Sequence, residues 1–294
     1  MRRPAATILL ALLLPLATAF APRQVAEPLP LFDAHVHYSS DAWSVYDVDQ
    51  ALEILDRANV RVALVSSTPD DGTLKLYARA PERVVPILRP YRNRGDVESW
   101  TRDPSIVTYL HGRIEAAPPG LRYRGIGEFH LYSGEADRPV VAEIAQMARE
   151  RDLFLHAHSD DRAVAELLEL YPDTRVLWAH AGMSASPDTV GRLLDRYPGR
   201  LWVELALRYD VAPGGALDPG WAALFERHPS RLMVGTDTWI TPQWTRMPEL
   251  KTAEQGWLRQ LPPALAERLA WRNAACLFAS DTTAIARPAD GCEG

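Results

Sequence analysis

Six of the eight histidines in this 294-residue chain stand at the polar ends of short apolar runs: His35 and His37, His130, His156 and His158, and His180. Asp237 ends another such run, and Glu128 lies two residues before His130. Imidazole and carboxylate together suit a divalent transition ion, zinc first among them. Such an ion brings the pKa of water to about 7 and polarises a carbonyl or phosphoryl group, so the donor set suggests metal-assisted hydrolysis. Side chains alternate along a strand, which puts His35 and His37 on one face, about 6.5–7 Å apart, with Asp33 deeper on the same side. Alone, His-x-His is a weak pattern that an ordinary surface strand carries as readily. Asp237 strengthens it. A carboxylate emerging from a buried strand costs several kcal/mol unless it is paired or bound to metal, and His35, His37 and a cation would supply the partners. His156 and His158 share a face, and either is a candidate donor; Glu128 and His130 share one likewise. The two remaining histidines, His111 and His228, fall in a loop and at a helix end.

Positioning these groups requires strands that end together. Apolar runs at 31–37, 62–66, 84–88, 125–130, 153–158, 175–180, 201–206 and 232–237 read as eight strands. Stretches with helical spacing lie between and after them, at 48–58, 72–80, 96–110, 139–151, 160–171, 186–197, 219–228 and 263–278. Asp160, and Ser186 followed by Pro187, are helix-start signals. Strictly alternating strands and helices imply parallel pairing through right-handed crossovers. Eight such units predict a closed (β/α)₈ barrel, a TIM barrel, whose functional groups come from the C-terminal strand ends, where the histidines and Asp237 fall. Residues 89–120 and 238–256 read as long loops. Their Trp100, Trp239, Trp244 and Trp257 are expected to build a lid or pocket wall.

The first segment reads as separate from the barrel. Arg2 and Arg3 give a positive start, residues 6–17 are almost wholly apolar, and Ala17-Thr18-Ala19 is a small-residue cleavage pattern. This predicts an export leader over 1–19, removed after Ala19, with the mature protein periplasmic or secreted. A retained anchor needs about 20 apolar residues, and Pro15, Pro22 and Arg23 cut the run short. No stable membrane association is expected after cleavage. A single barrel domain is expected over 29–280, followed by a tail over 281–294. Export is an oxidising setting in which Cys276 and Cys292 either pair or remain a buried and a free thiol. A formal charge of −6 disfavours a nucleic-acid partner, which takes a basic surface. Of the 32 basic residues only Lys75 and Lys251 are lysine, and neither is on the fourth strand.

Together, Asp33-Ala34-His35-Val36-His37, the strand-five histidines, Trp178-Ala179-His180-Ala181-Gly182 and Gly235-Thr236-Asp237 resemble the amidohydrolase superfamily of metal-dependent hydrolases. The closing Asn273-Ala274-Ala275-Cys276-Leu277-Phe278 is similar to the end of its amidohydrolase-related branch, and the resemblance spans 31–278. It implies that His35 and His37 are the first metal ligands and that His158 fits the strand-five ligand position, with His156 in reserve. His180 would be a ligand of a second metal or a group polarising the substrate. Asp237 would bind metal and act as general base. No lysine is available to bridge two metals, and Glu128 in Gly-Ile-Gly-Glu looks like the bridging glutamate of the TatD-type deoxyribonuclease branch. The other reading of Glu128 is an acid beside a single metal, so one or two divalent ions, zinc by ligand type, are implied.

Around this centre His130, Arg89, Glu204 and Trp239 are candidates for substrate contact or oxyanion stabilisation, with His156 beside them. Three functions follow. The first is hydrolysis of an ester, lactone, amide or similar bond in a small-molecule substrate, by metal-activated water with Asp237 as base. The second is metal-dependent decarboxylation of an aromatic or unsaturated acid. The third is a non-catalytic, exported metal-binding protein. The acidic charge and the leader argue against a nuclease.

Overall fold

The computed structural model describes residues 27–280, 282–289 and 292; the expected leader over 1–19 lies outside them. Eight strands form one sheet in sequence order: β1 (Leu31–Val36), β2 (Val60–Val65), β3 (Val84–Leu88), β4 (Gly125–Leu131), β5 (Phe154–Ser159), β6 (Arg175–Trp178), β7 (Leu201–Glu204) and β8 (Leu232–Met233). Every neighbouring pair is parallel. The ring closes through the Ala34 amide donating to Val234 O at 2.9 Å and the Asp237 amide donating to His35 O at 2.7 Å. The architecture is the expected (β/α)₈ barrel.

The helices that return the chain are α1 (Val48–Arg57), α2 (Asp71–Arg79), α3 (Ser105–Glu115), α4 (Pro139–Glu150), α5 (Asp161–Leu170), α6 (Pro187–Arg196), α7 (Pro219–Arg227) and α8 (Thr241–Leu258). Their starts follow local chemistry. Asp160 caps α5 by accepting from the Ala163 amide at 2.7 Å, and Ser186 caps α6 with Pro187 in its first turn. The helix expected over 96–110 begins only at Ser105, because Pro104 disfavours helical geometry in the residue before it. Two short 3₁₀ turns, Arg94–Glu98 and Trp100–Arg102, occupy the stretch before it.

The segment 238–256, expected as a loop, is mostly α8. Trp244, Met247, Lys251, Gln255 and Leu258 are buried along one side of it at helical spacing. Trp100 and Trp244 are core residues, with indoles donating to His130 O and His37 O, and Trp257 stacks on Phe225. Of the four tryptophans only Trp239 reaches the site cavity.

Two apolar layers hold the barrel. Phe32, Ala34, Val62, Leu64, Val85, Ile87, Phe154, Leu177 and Met233 fill the interior. The last helical run, α9 (Pro263–Glu267), a π-turn and α10 (Asn273–Phe278), closes its lower end with Ala274, Ala275 and Phe278. The larger layer lies between strands and helices. Cys276 and Cys292 form a disulfide that ties the tail to α10. Among the described residues no helix is long and apolar enough to cross a membrane.

Candidate active site

Two β-bulges aim the site residues. Asp33 pairs with Ala63 while Val36 pairs with Val65, so β1 holds one residue more than β2 between those points. The bulge breaks the alternation on which Asp33 was expected beside His35 and His37. Asp33 instead turns outward to α8, where it accepts from Lys251 Nζ at 3.1 Å and from the His35 and Thr236 amides at 3.0 Å each. In β4, Gly127 pairs with His156 and Phe129 with Ala157, leaving Glu128 as the extra residue. Gly127 has φ 137°, and a Cβ there would lie 2.2 Å from His156 O, so glycine alone fits.

Three imidazoles are fixed by acceptors at Nδ1. His35 Nδ1 donates to Glu204 Oε1 at 2.9 Å, His37 Nδ1 to Ser66 O at 2.5 Å, and His180 Nδ1 to Ala206 O at 3.1 Å. With the proton held on Nδ1, the Nε2 lone pair of each ring is directed into the barrel mouth. His35 Nε2 and His37 Nε2 are 3.0 Å apart, where two lone pairs repel unless a cation or proton lies between them. Asp237 Oδ1, 3.2 Å from His37 Nε2 and 3.7 Å from His35 Nε2, is buried without a hydrogen-bond partner.

Glu128 lies between two groups of donors. Its Oε2 is 3.2 Å from His37 Nε2 and 3.4 Å from His35 Nε2; its Oε1 is 2.9 Å from His158 Nδ1 and 3.2 Å from His180 Nε2. Burial would lower the pKa of His35, but Glu128, Asp237 and Glu204 outweigh it and raise that pKa well above its ordinary value. Lone pairs converging on buried carboxylates, one oxygen of which has no partner, fit a divalent cation. His35, His37, Asp237 and Glu128 Oε2 could hold one; His158, His180 and Glu128 Oε1 could hold another.

Two expected substrate contacts lie elsewhere. His156 is buried one interior position deeper than His158 on β5, its ring 4.6 Å from that of His35. Burial drives its pKa well below the ordinary value. Of the strand-five pair, His158 is the one that reaches Glu128. Glu204 is fully buried behind the imidazoles, accepting from His35 Nδ1, from the His180 amide at 2.7 Å and from the Ala206 amide at 2.7 Å. Burial opposes its ionisation, yet His35 and His180 bring its pKa down to about 2. A Cβ on Gly235 would come within 2.5 Å of Glu204 Oε2, so the glycine leaves room for that carboxylate.

A cavity of about 420 Å³ opens over the cluster. Arg89, His130 and Trp239 line it, joined by Arg94, Val97, Met183 and Leu207. Arg89 is tied down rather than free, donating to Glu128 Oε2 at 2.8 Å and to Glu128 O at 3.0 Å. His130 stacks on His158 with ring centres 4.3 Å apart, and its Nδ1 lies 3.1 Å from the Tyr91 hydroxyl. Burial lowers its pKa to about 4, leaving it neutral near pH 7. Met183 and Leu207, at φ 60° and 59°, were not legible because neither residue type signals left-handed backbone.

The sequence matches the family described as amidohydrolase over residues 32–279. No curated protein matches it. Among solved structures, an uncharacterised TIM-barrel protein of Bordetella bronchiseptica has a TM-score of 0.60 at 11% identity, covering 84% of this chain and 97% of that one. A protein of Pseudomonas putida described as a 2-pyrone-4,6-dicarboxylic acid hydrolase has a TM-score of 0.57 at 17% identity, covering 85% and 97%. The β-aspartyl dipeptidase of Fervidobacterium islandicum AW-1 has a TM-score of 0.50 at 15% identity, covering 85% and 73%. At such identities these structures share the fold alone. The family match spans the whole barrel, from Phe32 on β1 to the end of α10, and on that ground the chain belongs to the amidohydrolase family and is an enzyme of the amidohydrolase type.

Proposed function

We propose that the protein hydrolyses an ester, lactone, amide or similar bond in a small anionic molecule, at a centre where His35, His37 and Asp237 on one side of Glu128, and His158 and His180 on the other, would hold two zinc ions. The observation that carries this reading is the convergence of His35, His37, His158 and His180 nitrogens on the two Glu128 oxygens, beside the unpartnered Asp237 Oδ1. Bound there, divalent zinc supplies Lewis acidity to the scissile group and makes water acidic enough to ionise near neutral pH. Asp237 accepts the proton of the attacking water and returns it to the leaving group. Glu204, Ser66 O and Ala206 O keep the three imidazoles in the tautomer that points Nε2 at the cluster. Arg94, exposed at the rim and paired with Asp41 at 3.1 Å, is the group that would meet an anionic substituent, because Arg89 is committed to Glu128. Val97, Met183, Leu207 and Trp239 supply apolar walls for the substrate body.

The same reading treats residues 1–19 as an export leader; a disulfide of the Cys276–Cys292 kind persists in oxidising compartments.

The test is turnover of carboxylated esters, lactones and amides in ¹⁸O-labelled water. Label in the product supports hydrolysis, and Asp237→Asn should lower kcat by about 10²–10⁴-fold. Release of carbon dioxide without label would favour decarboxylation. A folded protein that binds zinc but turns over nothing would favour the non-catalytic reading.

A further inference from the structure

The turn after β6 has an unusual backbone. His180, Ala181, Gly182 and Met183 have φ of 55°, 46°, 68° and 60°, four residues of positive φ in succession of which three carry a Cβ. This turn presents the His180 imidazole to Glu128 and Met183 to the cavity. Its internal bonds are few: the Met183 amide donates to His180 O at 2.9 Å and the Ser184 amide to Gly182 O at 2.6 Å.

Arg208, beyond the end of β7, supplies what the turn lacks. Its Nη1 donates to Ala181 O at 2.9 Å and to His180 O at 3.3 Å, and its Nη2 donates to Ala185 O at 2.8 Å. The side chain is 3% exposed. Asp210 holds it from the other side at 2.8 and 2.7 Å, and its guanidinium lies 4.5 Å from the centre of the Trp221 ring. Trp221 Nε1 in turn donates to Asp210 at 3.1 Å. A planar fork can reach three carbonyls and a carboxylate together; an ammonium group cannot.

We propose that Arg208 is a positioning residue that locks this positive-φ turn, so that one buried guanidinium sets both the His180 donor and the Met183 wall of the substrate cavity. The inference rests on His180 being a zinc donor only in its metal-binding consequence; the effect on the turn is independent of zinc.

The test uses Arg208→Met and Arg208→Lys in the full chain. In metal-free protein, amide hydrogen exchange at Met183 should speed up by about tenfold or more in both variants, with the strand amides unchanged. In zinc titrations, the equivalent that His158→Ala also removes should lose about tenfold or more in affinity, with the other retained. Wild-type exchange at Met183 in a folded Arg208→Lys would overturn the proposal, as would equal loss of both equivalents. Should Arg208→Met fail to fold, the lysine variant carries both readouts. A wild-type protein binding no second zinc would sink the two-metal reading, and exchange at Met183 would still decide the role of Arg208.

Discussion

His35, His37 and His180 each use Nδ1 on a fixed acceptor and leave Nε2 for the cluster, while Glu204 serves two of these three residues by binding His35 Nδ1 and the His180 amide. This gives Glu204 a measurable signature. Its folded-state pKa of about 2 lies below the ordinary 4.5, so it contributes stability that is present above pH 4.5 and lost as the pH falls toward 2. The melting temperature of the metal-free protein should fall through that window, and less steeply in Glu204→Gln. Equal slopes in the two proteins would contradict the assignment. Which residues would gather was legible in the sequence, because strand ends of a parallel barrel meet at one mouth. Which way each points was less so. The β1 bulge sends Asp33 out, and depth along β5 and β7 puts His156 and Glu204 behind the donors rather than in the cavity.

Helix α8 shows what pattern reading misses at the scale of an element. Its inward side carries Gln243, Lys251 and Gln255 among the apolar residues, and Pro248 sits within it, so no clean apolar stripe marks it. The buried polar side has a purpose in packing: Lys251 joins α8 to Asp33 of β1 at 3.1 Å and pairs with Glu254 of its own helix at 3.0 Å. Asp33 also accepts from the Thr236 amide and hydroxyl, one residue before Asp237. Removing one member of a buried charged network leaves the others uncompensated. Lys251→Met should therefore cost about 3–5 kcal/mol, read from urea unfolding. A loss below about 1 kcal/mol, the level of an exposed pair, would show that the network adds little. Strands β6, β7 and β8 end earlier than their apolar runs, because the chain turns off to carry His180, the Leu207–Arg208 segment and Asp237.

For the whole molecule, eight alternating units were enough to specify the barrel, since each apolar run feeds a parallel strand and each helical stretch covers it. The two ends of that barrel divide the labour. The mouth holds the cluster, and the floor is closed by Phe278 packing on Phe154 at 4.9 Å, with the tail fastened by Cys276–Cys292 across 16 residues. Cys292→Ser should lower stability by about 3 kcal/mol while leaving turnover unchanged, as the disulfide lies on the side away from the site. The substrate was not legible, because it depends on side chains that loops bring over the mouth; nor was the number of metals, because it turns on the direction that the β4 bulge gives Glu128. The central claim is that Glu128 and its four imidazoles, with Asp237, form a two-metal centre. Zinc titration of the metal-free protein tests it most directly. The account predicts two equivalents per chain in the wild type, with His35→Ala losing one and His158→Ala the other. Failure of the wild-type protein to bind zinc, or binding that survives both substitutions unchanged, would contradict it.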